Sequence, residues 1–330
     1  MTSILKEFSA KLRIKEKTPV DTCVEEILDK EEEPYEKAGL HAVEICDGNG
    51  CPMNMRDAHG LLLSRNVPPD VLARKVTFKA RNDDVLLITY PKSGTHWLWE
   101  VVSMLTRGST TLLSDTMTHI DYFPLEVIDI LPSPRVLATH MPVTQVPRDF
   151  FTRRCKMILC VRNPWDVALS FFHFVRNLQT FEYSGEWDGF FDLFLQGNVP
   201  YSSWFEHSRE WLDLLSSNTN ILLVLFEDMH KDLKQELARI ARFLDVPMTN
   251  DLAEAIQRET TFTNMAKNKF DYTIAYSKTG VSPIFRKGKV GDSKNWFTDS
   301  QASLVEMAYH RELGENRHKL NYVTRQRTSQ

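Results

Sequence analysis

The chain has 330 residues, 42% of them hydrophobic and 25% charged, with a formal net charge of −4. That balance describes a globular protein with one large core, and it excludes broad nucleic-acid or membrane-surface binding. Any anion site must be a local basic cluster. In chain order, residues 1–20 carry Ile4, Leu5, Phe8 and Leu12 at helical spacing among lysines. Glu7 and Glu16 argue against a mitochondrial presequence there, so a surface helix is expected. Residues 21–37 are acidic, from Glu25 to Glu36, and complete a charged arm, helical or partly disordered, over 1–37. Residues 38–66 read as loops with short strands. From residue 81 the pattern changes to apolar runs alternating with helical periodicity. Strands are expected at 84–89, 135–139, 156–161 and 221–226. Helices are expected at 95–106, 165–177, 187–196, 202–215, 230–244, 249–258 and 299–313, with a polar loop over 266–283. The fold class is therefore α/β: a single domain over 38–315 with a central parallel β-sheet flanked by helices, and a tail at 316–330.

The cysteines are Cys23, Cys46, Cys51, Cys155 and Cys160, with no Cys-x-x-Cys. An odd, scattered set reads as reduced and intracellular. Neither close pair has a histidine nearby, and no metal is expected. No run reaches the roughly 18 apolar residues of a membrane span, and no signal-peptide core is visible. A cytoplasmic protein without a membrane or nucleic-acid partner is the expectation.

The stretch Thr89-Tyr90-Pro91-Lys92-Ser93-Gly94-Thr95-His96-Trp97 joins the first strand of this pattern to its helix. A strand, a glycine turn and a helix N-terminus gather backbone N–H groups around one point, and the helix dipole adds positive character. Lys92 supplies a full charge. This is a P-loop-like site for a phosphate-like anion. The nucleotide-triphosphate signature Gly-x-x-x-x-Gly-Lys-Ser/Thr is absent, because the lysine here precedes the glycine. In such folds ligands bind beyond the carboxyl ends of the strands. The turn, His140, Arg162 and Glu227-Asp228 all belong to that edge.

Two more stretches join the turn. They are Arg162-Asn163-Pro164-x-Asp166-x-Ala168-x-Ser170-Phe171-Phe172-His173-Phe174 and Phe285-Arg286-Lys287-Gly288-x-x-Gly291-Asp292. In order and spacing the three resemble the cytosolic sulfotransferases, which use 3′-phosphoadenosine 5′-phosphosulfate (PAPS) as co-substrate. The resemblance runs from about residue 80 to 315, more loosely from 38. It implies that Lys92, Ser93, Gly94, Thr95 and His96 hold the 5′-phosphosulfate. It implies that Arg162, Ser170 and Phe285-Arg286-Lys287-Gly288 hold the 3′-phosphate, and that Trp97, Tyr201, Thr260 and Phe262 surround the adenine. The residues fit that ligand independently, because two basic clusters far apart in sequence suit a molecule anionic at both ends, and arginine offers paired donors.

His140, followed by Met141-Pro142, resembles the family's Thr-His-x-Pro segment and is implied to be the general base. Lys92 and Ser170 complete the implied catalytic set. The other histidines, including His96, His173 and His207, are read as structural or surface. Three departures stand out. Ala138 replaces a lysine common two residues before the base, His96 replaces a second threonine in the turn, and Ser293 replaces a tryptophan. The family's dimerisation motif is degraded, with Asp299 and Ser303 replacing valine and glutamate, so a monomer or weak homodimer is expected.

Tyr122, Phe123, Phe171, Phe172 and Tyr272 are expected to line an acceptor pocket for a small aromatic or lipophilic molecule, phenol- or catecholamine-like. Steroids, aliphatic alcohols and amines are the alternatives. Asp121 and Asp129 are read as surface charge rather than as partners of an amine. Loop 266–283 is expected to close over the acceptor. Two other classes compete: a nucleotide kinase with Glu227-Asp228 at a magnesium site, and a non-catalytic nucleotide-binding relative. The lysine order of the turn argues against the first. The presence of both Lys92 and His140 argues against the second.

Overall fold

Four buried runs build the centre of the molecule. In the computed structural model, which describes residues 32–111, 117–269, 273–274 and 277–320, they are β4 (Val85–Thr89), β5 (Val136–Thr139), β6 (Lys156–Val161) and β7 (Ile221–Leu225). They form one parallel sheet in the order β5-β4-β6-β7. Alternation along each strand feeds two cores. Leu86, Ile88, Leu137, Met157 and Leu159 face one, while Val85, Leu87, Val136, Ile158 and Cys160 face the other. Both faces are covered, which is why the runs are apolar without interruption.

Before this sheet come a short helix α1 (Glu32–Lys37) and an antiparallel sheet of β1 (His41–Cys46), β2 (Pro52–Ala58) and β3 (Leu61–Leu63). The helices that follow are α2 (Arg74–Thr77), α3 (Thr95–Arg107), α4 (Leu125–Asp129) and α5 (Arg148–Thr152). Next come α6 (Pro164–Asn177), α7 (Trp187–Gln196), α8 (Trp204–Leu215) and α9 (Phe226–Lys231). The last are α10 (Leu233–Leu244), α11 (Asn250–Glu259), α12 (Phe262–Asn268) and α13 (Asp299–Leu313).

The caps explain the boundaries. Asn163 accepts from the Asp166 amide, and Pro164 fills the first helical position of α6. Thr298 and Gln301 form a reciprocal capping box on α13. The helix expected over 230–244 is two helices, because Asp232 leaves helical geometry and caps α10 through the Gln235 amide.

β4 lies between β5 and β6, so the chain reverses its order of addition there. That reversal opens a crevice above the carboxyl end of β4. The opposite edge is closed by a buried ion pair, Arg135 on Asp84, which ties the residues preceding β5 and β4 at 2.5 and 2.8 Å. Removing one partner of such a pair costs about 3–5 kcal/mol. The charged arm up to residue 31, Tyr272 and the last ten residues lie outside the described residues.

Candidate active site

β4 ends at Thr89 and α3 begins at Thr95. Between them the backbone turns through two left-handed positions, Lys92 (φ 69°) and Gly94 (φ 93°). Gly94 is required twice over, because a Cβ there would also sit 2.6 Å from the Phe226 ring. The helical ladder opens with the Leu98 amide on the Gly94 carbonyl at 3.0 Å, which leaves the preceding amides outside it. The Ser93 hydroxyl and the Trp97 indole nitrogen are buried without a hydrogen-bond partner among the described residues. Backbone amides and polar groups in a turn of this shape suit an anionic ligand.

Four cations gather at the turn. Lys92 reaches the Pro283 carbonyl at 3.3 Å and lies 4.1 Å from the centre of the Phe174 ring. Burial, with the charges of Arg162 and Arg286, pushes its ammonium down to about 7. Arg162 donates to the Lys92 carbonyl at 3.0 Å and stacks over Phe226 at 4.4 Å, while its Nε has no partner among the described residues. The loop Phe285–Gly288 brings Arg286 and Lys287, which both pair with Asp292 at 2.7 and 2.9 Å. Asp166 clamps this loop from α6, accepting from the Gly291 and Ser293 amides at 2.7 and 3.1 Å. Ser170 is half-buried on the same helix.

The residues assigned to adenine separate into two places. Trp97 stands edge-on to Phe226 and close to His230, with ring centres 5.6 and 5.3 Å away. Phe262 meets Phe285 at 6.2 Å, and Gly288 fits beneath it where a Cβ would come within 2.1 Å. Phe285 also approaches His96, at 6.3 Å. Thr260 is buried and donates to the Ile256 carbonyl. Tyr201 departs from the expectation. Its ring stands edge-on to His140 at 5.1 Å, and its hydroxyl bonds that of Tyr122 at 2.9 Å.

His140 follows β5. Its Nδ1 lies 2.7 Å from the Thr89 carbonyl, which can only accept, so the proton sits on Nδ1 and Nε2 carries the lone pair. Its amide donates to Asp121 at 2.9 Å. Burial, reinforced by His119, pushes the imidazole down to about 3. A neutral imidazole is thereby held against Thr89 at the start of the turn, and the Thr89 hydroxyl bonds that of Thr95 at 2.7 Å.

Several expectations change here. Asp121 is not surface charge: it is 1% exposed, and it also accepts from the Thr139 hydroxyl at 2.7 Å. Asp129 does lie at the surface and pairs with Arg135. Phe171 and Phe172 are buried in the aromatic core, against Tyr90, Phe190 and Trp187, and the α6 ring that meets Lys92 is Phe174. Tyr122 and Phe123 are half-buried beside the His140 cluster. Glu227 accepts from the Asn163 amide and side chain at 3.0 and 2.7 Å, which occupies the carboxylate a magnesium site would need. The described end of loop 266–283 is tied to α6, with the Lys278 amide on the Asn177 carbonyl at 2.8 Å. Phe226, His230, Asp166 and His119 escaped the sequence reading. Asp166 alone had a signal, its place inside the second motif.

A family model described as a sulfotransferase domain matches residues 82–317. Sulfotransferase 1C2 of Rattus norvegicus is 32% identical over 254 residues, 72% of this chain and 86% of that protein. Sulfotransferase 1B1 of Canis lupus familiaris is 33% identical over 255 residues, covering 72% and 85%. Among solved structures, mouse sulfotransferase SULT7A1 complexed with PAP superposes with a TM-score of 0.71 at 30% identity, over 82% of this chain and 99% of that one. Retinol dehydratase in complex with androsterone and PAP shares the fold, with a TM-score of 0.68 at 20% identity over 87% and 95%.

Proposed function

The chain belongs to the sulfotransferase family, and from that premise we propose that it transfers the sulfuryl group of PAPS to a hydroxyl of a small aromatic or lipophilic acceptor, with His140 as general base. One observation carries the reading: a neutral imidazole with its lone pair on Nε2 stands beside a turn whose Ser93 hydroxyl and Trp97 indole nitrogen are buried without a hydrogen-bond partner among the described residues.

PAPS carries about four negative charges at neutral pH, in two clusters. The 5′-phosphosulfate belongs at Ser93–Trp97 with Lys92. The 3′-phosphate belongs at Arg162, Ser170 and Arg286–Gly288, where Arg162 Nε, without a partner among the described residues, and the two Asp292-paired cations gather. Trp97, with Phe226 and His230, offers the base an aromatic wall. As the acceptor oxygen bonds sulfur, the bond from sulfur to the 5′-phosphate oxygen breaks. His140 Nε2 takes the acceptor proton, and Lys92 meets the charge arriving on the leaving oxygen. Beside the dianionic phosphosulfate the ammonium becomes the favoured form, against burial and the neighbouring guanidinium charges. Asp121, held against the His140 amide, faces the imidazolium formed in that step.

The test is transfer from PAPS to a panel of phenols, catechols and sterols by the purified protein. Sulfate ester and adenosine 3′,5′-bisphosphate should appear together. Tighter binding of ATP–Mg²⁺ than of adenosine 3′,5′-bisphosphate would sink the reading.

A further inference from the structure

Beside the base lies a second imidazole that the transfer step does not use. Residues 118–120 pair with β5, with the Ile120 amide on the Ala138 carbonyl at 2.8 Å and the Ala138 amide on the Thr118 carbonyl at 2.9 Å. His119 pairs with Ala138, and His140 follows Ala138 by two residues, so all three share one face. The small side chain of Ala138 leaves the two imidazoles in contact, with ring centres 4.4 Å apart.

The side chain of His119 is 4% exposed, and neither ring nitrogen has a hydrogen-bond partner among the described residues. Its Nδ1 faces Asp121 Oδ2 at 3.5 Å, so a neutral ring with its proton toward the carboxylate presents its lone pair on Nε2. A phenylalanine would fill the same space without stranding a polar atom, so the imidazole needs a reason to be there. Its neighbours are already engaged. Tyr122 and Tyr201 bond each other, Asp121 accepts from Thr139 and His140, and His140 Nδ1 donates to Thr89. What remains is two imidazoles in ring contact, each with a nitrogen left to accept. That pair matches a ligand with two adjacent donors.

Resting on the hydroxyl-acceptor reading above, we propose that His119 is a specificity-determining residue of the acceptor site, one that accepts a hydrogen bond from a donor neighbouring the reacting hydroxyl. Acceptors with two adjacent hydroxyls, catechols and vicinal diols, are the class it selects. One hydroxyl gives its proton to His140 while the other holds the ring in register on His119.

The experiment compares kcat/KM for catechol and for its mono-O-methyl ether in the wild type, His119→Phe and His119→Gln. Adenosine 3′,5′-bisphosphate binding serves as the check on folding. The wild type should favour catechol by about tenfold or more, the scale expected when a buried acceptor is left unpaired. His119→Phe should erase most of that ratio, and His119→Gln, which keeps an acceptor oxygen, should retain part of it. No preference in the wild type, or an unchanged ratio in His119→Phe, overturns the proposal. The wild-type ratio and His119→Gln decide it if the phenylalanine variant does not fold. Failure to sulfate any acceptor in the panel would instead overturn the hydroxyl-acceptor reading.

Discussion

The two ends of the crevice are built differently. The anion end comes from one short stretch, Thr89 to Trp97, whose proposed contacts are mainly backbone amides, with Arg162 laid across it. The histidine end is assembled from side chains of four separate segments, carrying His119 to Tyr122, Thr139 with His140, Thr89, and Tyr201. A backbone site should tolerate side-chain drift such as the change to His96, because the amide is kept. A side-chain site can be retuned one residue at a time, and that is where acceptor choice would be set.

Four substitutions or titrations press on this contrast. The largest effect is expected from His140→Ala, which should lower turnover by about 10²–10⁴-fold while adenosine 3′,5′-bisphosphate still binds. Normal turnover in that variant would remove the base from the histidine end. Lys92→Met should lower kcat by roughly 10²–10³-fold, the scale of losing one stabiliser of developing charge. Comparing its single-turnover rate with its PAPS affinity would separate chemistry from binding. Asp166→Asn tests how far the anion end depends on a remote clamp. Losing a charged acceptor for two loop amides should cost about 1.5–3 kcal/mol, read as weaker binding of the bisphosphate with adenosine 5′-phosphosulfate less affected. Equal losses for both ligands would show that the clamp does not act through the Arg286 loop.

The smallest effect is a pH dependence. Lys92 sits near 7 in the free protein and must rise beside a dianion. Binding should therefore take up a proton above about pH 7, and affinity should fall as pH rises. Calorimetry in two buffers of different ionisation enthalpy measures this. Buffer-independent heats would place the Lys92 charge elsewhere. His140, held near 3, is neutral throughout, so no acid limb near its ordinary value should appear in kcat/KM.

The same contrast explains what could be read in advance. Strand β6, helix α7 and helix α13 appear at their expected limits, because uninterrupted apolar runs, periodicity and cap residues are local signals. The strand–turn–helix from Val85 to Arg107 was legible for the same reason. His119 and Asp121 were not, because their proximity to His140 comes from a short pairing with β5 that leaves no period in the sequence. Phe171 and Phe172 were placed at the acceptor on residue type alone. Their contacts with Tyr90, Phe190 and Trp187 show that size and aromaticity serve the core equally well.

The small sheet of β1 to β3 lies ahead of the matched stretch 82–317, yet it reaches both ends of the crevice. The Leu62 carbonyl on β3 accepts from the Tyr201 amide at 2.6 Å, and the Leu62 amide donates to the Ser202 hydroxyl at 3.1 Å. Ser202 in turn accepts from the Tyr90 hydroxyl at 2.6 Å. Tyr201 and Ser202 are both left-handed, a conformation such residues hold only when their surroundings insist. A chain trimmed to the catalytic sheet would keep every residue of the anion turn and lose the strut that fixes its distance from the base. The expected phenotype is a protein that still captures the nucleotide but no longer brings it to bear on an acceptor.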